Sequence, residues 1–423
     1  MMTMILADVI EEHLEETGFL WGQRQAALDS RDYVLAELAE LEERLAAHVD
    51  GLLVGGEEAW GLAGPRLTGD DAGEVFAAAF LALQSGLEPR LDWVMTVFRE
   101  VDGEGMQGIY DSLCHTSFAG VDDLLLPLLR AEDVMRQALA ADILSFRRYP
   151  VPLYFLEPLS KSDYPEISAI AIRAMGRLRD TKALDAVNEM ILSQGAEPFV
   201  ANEAWRTGLL LGSDLVAPQC RLALQHNTEM AGDALIMLAI NGDVRDLPLL
   251  AAALREGKLA RKAAMALGTL GAQGGIAPLI GCLADPELGR LAGESFCRIT
   301  GIDLERAGLA RETVAEAAVP AGADQDEDDD DDYVADKDED LPFPDPEKIK
   351  EFWAKQEKVF SRETRYRYGR PYAREVLADV LLQGALPERH NAALELAVLC
   401  PGRPLLETRA MAGLQMKMSG QLT

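Results

Sequence analysis

Histidine is scarce in this 423-residue chain, with five in all; cysteine is equally rare, and aromatics make up only 6%. Each shortage narrows what the protein can be. The cysteines (Cys114, Cys220, Cys282, Cys297 and Cys400) are odd in number and form no C-x-x-C pair. They read as buried free thiols of a reducing compartment. Few aromatics beside abundant Ala and Leu favour helices over a β-sandwich. No apolar run approaches the ~20 residues that cross a bilayer. The opening "MMTMILADVIEEHLEETG" lacks the basic region of a signal peptide, so a cytoplasmic, soluble chain is expected.

Positive charge is the other shortage. Forty Lys and Arg against seventy-one acids leave a net charge of −31. A field of that sign repels phosphates, which disfavours nucleic acid and anionic membrane surfaces as partners. Hydrophobic residues, at 48%, are ample for a packed core.

The few chemically active residues do not assemble into a site. His13 and Glu16 share a helix face in "EEHLEE", but a carboxylate-bridged metal pair needs matching Glu-x-x-His elements on two helices, and neither His48 nor His226 supplies one. Cys114 and His115 are adjacent, so on a helix their side chains diverge and do not form a nucleophile–base pair. His390 and Cys400 fare no better. "GAQGG" and "VGGEEAW" lack phosphate-loop spacing and a preceding strand, and read as turns. No catalytic residue, metal or cofactor is expected.

What the chain has in quantity is itself. Steps of thirty residues connect Ala174, Ala204, Ala234 and Ala264, and the next position is always large and apolar: Met175, Trp205, Leu235 and Met265. Pro218, Pro248 and Pro278 keep the same step, and Gly212 and Gly242 hold another register, with Gly271 one residue early. Each unit reads as two helices. In the first, Ala260, Ala263, Ala264, Leu267 and Leu270 occupy one face, and Gly271 ends it. The second opens near Pro278 and buries Ile276, Leu279, Ile280 and Leu283. A unit of ~30 residues cannot cover its own apolar face, so such units are stable only when stacked. The period and composition resemble short HEAT-like repeats. The expected fold is therefore all-α, a HEAT-like α-solenoid with a helical N-terminal cap and a C-terminal helical extension.

Four segments are expected: a cap over 1–70, a repeat array over 71–318, an acidic flexible linker over 319–345, and a helical segment over 346–423 that docks on or extends the array. Asp324 to Asp340 holds twelve acids and one lysine, a density that opposes ordering. The charge then changes sign in "KIKEFWAKQEKVFSRETRYRYGRPY". Trp353, Arg365, Tyr366, Arg367, Tyr368, Arg370 and Tyr372 mix Arg with aromatics, the residue types of interface hot spots. Such a cluster suits a protein partner or docking against the chain's own acidic surface or linker, with single-stranded nucleic acid or another ligand, held by stacking and charge, as the third reading.

The N-terminal block "IEEHLEETGFLWGQR…LAELEERLAAHVDGLLVGGEEAW" and the C-terminal block "LPFPDP…FW…RYRYGRP…ALELAVLCPGRPLLETRA" together resemble an uncharacterised proteobacterial family of HEAT-like proteins whose genes often lie near type VI secretion loci. The resemblance implies a non-enzymatic, chaperone-like adaptor whose partner is a secreted effector, spike or adaptor protein. Trp21 and Arg24 in the first block, with Trp353, Arg365, Tyr366, Arg367, Tyr368 and Arg370 in the second, are the candidate partner-binding residues. An immunity protein masking a basic toxin is the alternative reading; a HEAT-like lyase or base-repair enzyme is more remote.

Overall fold

The computed structural model describes residues 2–193, 195–311 and 338–419. Among them are twenty-one α-helices and a single two-stranded ribbon. The protein is all-α, with a solenoid-like, helical-repeat build. Two compact units divide the chain: Met1–Gln219 with Leu377–Thr423 form one, and Cys220–Val376 the other.

The first unit begins with two long helices, α1 (Met2–Leu28) and α2 (Leu35–Ala63). His13 meets His48 and Arg24 meets Glu42, so the pair runs antiparallel. Gly56 leaves helical geometry and bends α2 near its end. The chain continues through α3 (Ala72–Ser85), α4 (Glu88–Glu100), α5 (Glu104–His115), α6 (Val121–Leu125), α7 (Val134–Phe146), α8 (Leu153–Ser160), α9 (Pro165–Leu178), α10 (Leu184–Leu192) and α11 (Pro198–Leu211). Aspartates cap several of these starts. Asp71 accepts the Glu74 N–H, and Asp133 those of Met135 and Arg136, as orphan first-turn donors require.

Helices α3, α5, α7, α9 and α11 pack each on the next. Their contacts join residues about one repeat apart, so these helices run parallel. The Ser112 hydroxyl donates to the Phe76 carbonyl at 3.0 Å, and the Thr207 hydroxyl to that of Ile172 at 3.0 Å. Small residues allow this approach. A Cβ at Gly176 would lie 2.6 Å from the Thr207 hydroxyl, too close unless one of the two helices or that side chain shifts.

Helix α12 (Val216–Gln225) leads into the second unit, followed by α13 (Ala231–Asn241), α14 (Leu247–Ala253), α15 (Gly257–Leu270), α16 (Ile276–Cys282) and α17 (Gly289–Thr300). Here α13, α15 and α17 stack, with the shorter α14 and α16 behind them. The repeat columns describe real packing: Ala174, Ala204, Ala234 and Ala264 are all fully buried. Gly212, Gly242 and Gly271 each end a first helix in left-handed geometry, with φ of 81°, 80° and 70°. The second helix of the 260–285 unit starts at Ile276, after a tight 3-10 turn over Gln273–Gly275.

Residues 319–337 of the acidic segment lie outside the described residues. Its last part is held in place: Arg261 grips Asp338 through two bonds of 2.7 and 2.8 Å, and the Asp345 N–H donates to the Leu309 carbonyl. Asp345 then caps α18 (Pro346–Gln356). A short ribbon, β1 (Tyr366–Arg367) with β2 (Arg370–Pro371), precedes α19 (Arg374–Gln383), α20 (Leu386–Leu399) and α21 (Ala412–Ser419). Helices α20 and α21 complete the first unit. The Leu386 N–H donates to the Tyr33 carbonyl at 2.9 Å, and His390 meets the Leu28 carbonyl at 3.1 Å. Ala392, Ala393 and Leu396 are buried as their repeat-like spacing implies, whereas Leu399 is exposed.

Candidate partner-binding sites

Seven of the eight residues expected to meet a partner are wholly or partly withdrawn from solvent; Arg370, on β2, is exposed. Trp21 is 2% exposed, its ring stacked 3.8 Å from that of Phe76 while its indole N–H donates to Asp111 at 3.1 Å. Arg24 is 1% exposed and pairs with Glu42 at 2.8 Å. It also donates to the carbonyls of Arg409 and Ala410, while the other Glu42 oxygen accepts the Ala412 N–H at 2.7 Å. Burial raises the Glu42 carboxyl and lowers the Arg24 guanidinium, each partly offset by the opposite charge. The expectation of a surface role is corrected for both. They lock residues 409–412 onto α1 and α2.

The second cluster is an internal clamp. Trp353 and Tyr366, each 7% exposed, share an aromatic group with Phe296 and Phe360, at centroid distances of 4.7 to 6.3 Å. Arg365 donates to the Leu270 carbonyl at 2.8 Å and to those of Thr269 and Ala239, and lies 3.8 Å over the Tyr372 ring. The Tyr366 N–H bonds the Gly271 carbonyl at 2.7 Å; those of Tyr368 and Gly369 bond Arg298 and Ile299 at 2.6 and 2.9 Å. Arg367 is buried and Tyr368 half-buried. Residues 365–369 therefore cross the C-terminal ends of α13, α15 and α17. Unpaired carbonyls and the negative end of each helix dipole make those ends receptive to a guanidinium and to free N–H groups. Gly271 makes the crossing possible: its φ is positive, and a Cβ there would collide with the Tyr366 carbonyl oxygen. The same surroundings give Trp353, Arg365, Tyr366, Arg367 and Tyr368 an intramolecular role in place of the partner contact expected of them.

His13 and His48 face each other with Nδ1 atoms 3.1 Å apart. Burial, with Asp142 nearby, pushes the Cys114 thiol well up. His115 is held between the rings of Trp21 and Phe146, 5.0 Å from each. Burial and the charges of Arg24 and Arg147 push its imidazole well down. A thiol shifted this way is a poor nucleophile at neutral pH. Among the described residues no group of three or more potential ligands could hold a metal ion.

Sequence reasoning missed an open cavity of about 630 Å³ in the first unit. Leu45, Val49 and Leu53 of α2, Phe80 of α3, Phe146 of α7 and Leu414 of α21 give it apolar walls. Glu42, His115, Arg147 and Arg148 supply polar points, and the chain fixes most of them already. Arg147 binds Asp122 at 3.0 Å and the Thr116 carbonyl at 3.0 Å, while Arg148 donates to the Leu405 carbonyl at 2.6 Å. The result is a mostly greasy hollow of ligand-site size. Its walls come from helices far apart in sequence, and no local pattern marks them.

No protein-family model matches the sequence, and no curated protein sequence does. Human deoxyhypusine hydroxylase, solved in complex with glycerol, is a structural neighbour at 18% identity and a TM-score of 0.25, covering 57% of this chain and 94% of its own. That likeness is too slight to bear on function.

Proposed function

We propose that the chain is a non-enzymatic, protein-binding helical-repeat scaffold of the cytoplasm, an accessory that handles a secreted effector, spike or adaptor protein of a type VI secretion pathway. The open cavity of the first unit carries the binding half of this reading. Its walls are apolar, and its arginines are already committed to carbonyls and to Asp122, so it suits the aliphatic or aromatic anchor of another protein. Support for the secretion half comes from the two non-repetitive blocks near the chain's ends. Burial pushes the Cys114 thiol up and the neighbouring His115 imidazole down, which supports a binding rather than a chemical role for that corner.

Affinity capture from a producing strain tests both halves. Tagged protein should recover a component of the secretion pathway, and Leu53→Arg or Leu414→Arg should abolish recovery while leaving the melting temperature within a few degrees of the parent. Capture that persists with the cavity blocked would end the docking assignment. Capture that brings down no secretion component would end the pathway assignment.

A further inference from the structure

A second cavity of the first unit has a different chemistry. It measures about 330 Å³ and opens between α9, α11 and residues 405–409. Four arginines line it in a chain where acids outnumber bases, 71 to 40. Three of the four are engaged. Arg173 and Arg177 close on the fully buried Asp142 at 2.7 and 2.6 Å, and Arg177 also reaches Glu407 at 3.0 Å. Arg409 pairs with Asp29 at 2.9 Å. The Tyr110 hydroxyl completes the shell of Asp142 at 2.6 Å. Burial alone would raise this carboxyl, but the two guanidiniums outweigh it and hold it below its ordinary value.

The fourth arginine is different. Arg206 makes no ion pair among the described residues, though it is half-buried at the cavity wall. One turn earlier, Glu203 also lines the cavity, and one of its carboxylate oxygens, Oε2, is buried without a donor. The two side chains share a face of α11 with Thr207 and Leu210, at i, i+3, i+4 and i+7, yet do not pair with each other. A buried acceptor without a partner is costly and uncommon in folded proteins. Nothing else on the wall supplies the missing groups. The Thr207 hydroxyl is spent on the Ile172 carbonyl, and His390 is held by Thr408 and the Leu28 carbonyl, with burial lowering its pKa. Leu210 and Leu405 add an apolar patch.

We infer that this cavity binds a small zwitterion, an α-amino acid with an aliphatic side chain. Its carboxylate meets Arg206, its ammonium group donates to Glu203, and its side chain lies against Leu210 and Leu405. The volume is at the small end of ligand sites, matching a free amino acid rather than a nucleotide. This assignment is independent of the scaffold role and of the larger cavity.

Titration of the full chain with L-leucine, 4-methylpentanoate (no ammonium), L-leucinamide (no carboxylate) and inorganic phosphate, read by calorimetry and thermal shift, tests it. L-leucine should bind saturably, and each analogue should bind about tenfold more weakly or worse, as loss of one charged hydrogen bond implies. Glu203→Gln should erase the preference for leucine over 4-methylpentanoate, and Arg206→Gln should abolish binding of both. Absence of saturable leucine binding, or equal binding of 4-methylpentanoate or phosphate, would overturn the assignment. So would variants that bind leucine unchanged. Should a variant fail to fold, the comparison among ligands on the parent protein still decides.

Discussion

Arg24 and Glu42 illustrate how one residue pair can organise distant parts of a chain. Taking either charge out of water is expensive, and the mutual attraction compensates only when remaining donors and acceptors are also satisfied. Here the carbonyls of Arg409 and Ala410 and the N–H of Ala412 do much of that, leaving Arg24 Nη1 without a partner, so the pair draws on the C-terminal segment. Replacing Arg24 by Met leaves a buried carboxylate alone and should cost about 3–5 kcal/mol. The double replacement Arg24→Met/Glu42→Leu should lose clearly less than the sum of the single changes, a coupling that calorimetric melting would reveal. Losses that add would show that the two residues act separately. From sequence, "GFLWGQR" stood out as non-repetitive, but its meaning depends on a contact 370 residues away, between Glu42 and Ala412. An acidic helix face and an isolated arginine give no hint of each other.

At the scale of the element, what was legible was local. The period of thirty, the buried alanines and the left-handed glycines are each fixed by a residue's immediate neighbours, and they describe α9, α11, α13 and α15 well. The clamp was half legible: an Arg- and Tyr-rich cluster was evident, but its target was not, because helix ends carry no sequence signature of being bound from outside. Gly271 offers the test. Alanine there forces a left-handed residue to carry a Cβ, at about 1–2 kcal/mol, and pushes it into the Tyr366 carbonyl. Hydrogen exchange at Tyr366, Tyr368 and Gly369 should accelerate. Gly212→Ala makes the control, since its φ is similarly positive but open space surrounds the added carbon. Equal effects of the two changes on those amides would remove the clamp from the account.

For the whole molecule, net charge and stability should respond to acid in opposite senses. A chain at −31 repels itself, and lowering the pH relieves that repulsion. Yet His115 and His390 are both held below the ordinary imidazole value, chiefly by burial, with Arg24 and Arg147 beside the first and Arg409 beside the second. The unfolded chain takes up protons near pH ~6.5 that the folded chain refuses, so stability present above that value is lost as the pH falls below it. Glu42, shifted upward, works the other way, and a comparison between parent and variant cancels it. Between about pH 7 and pH 5.5, where unperturbed imidazoles titrate, the melting temperature of the parent should drop, and that of His115→Gln should drop less. Parallel curves would show that His115 is not the responsible group.

A stack of paired helices ordinarily frays from its last member, each layer peeling away without disturbing the one beneath. In the second unit a single stretch of five residues is stapled across three layers at once. Peeling α17 must therefore also unpick α15 and loosen α13, so this unit should come apart in one event under load or heat rather than shedding its layers in turn.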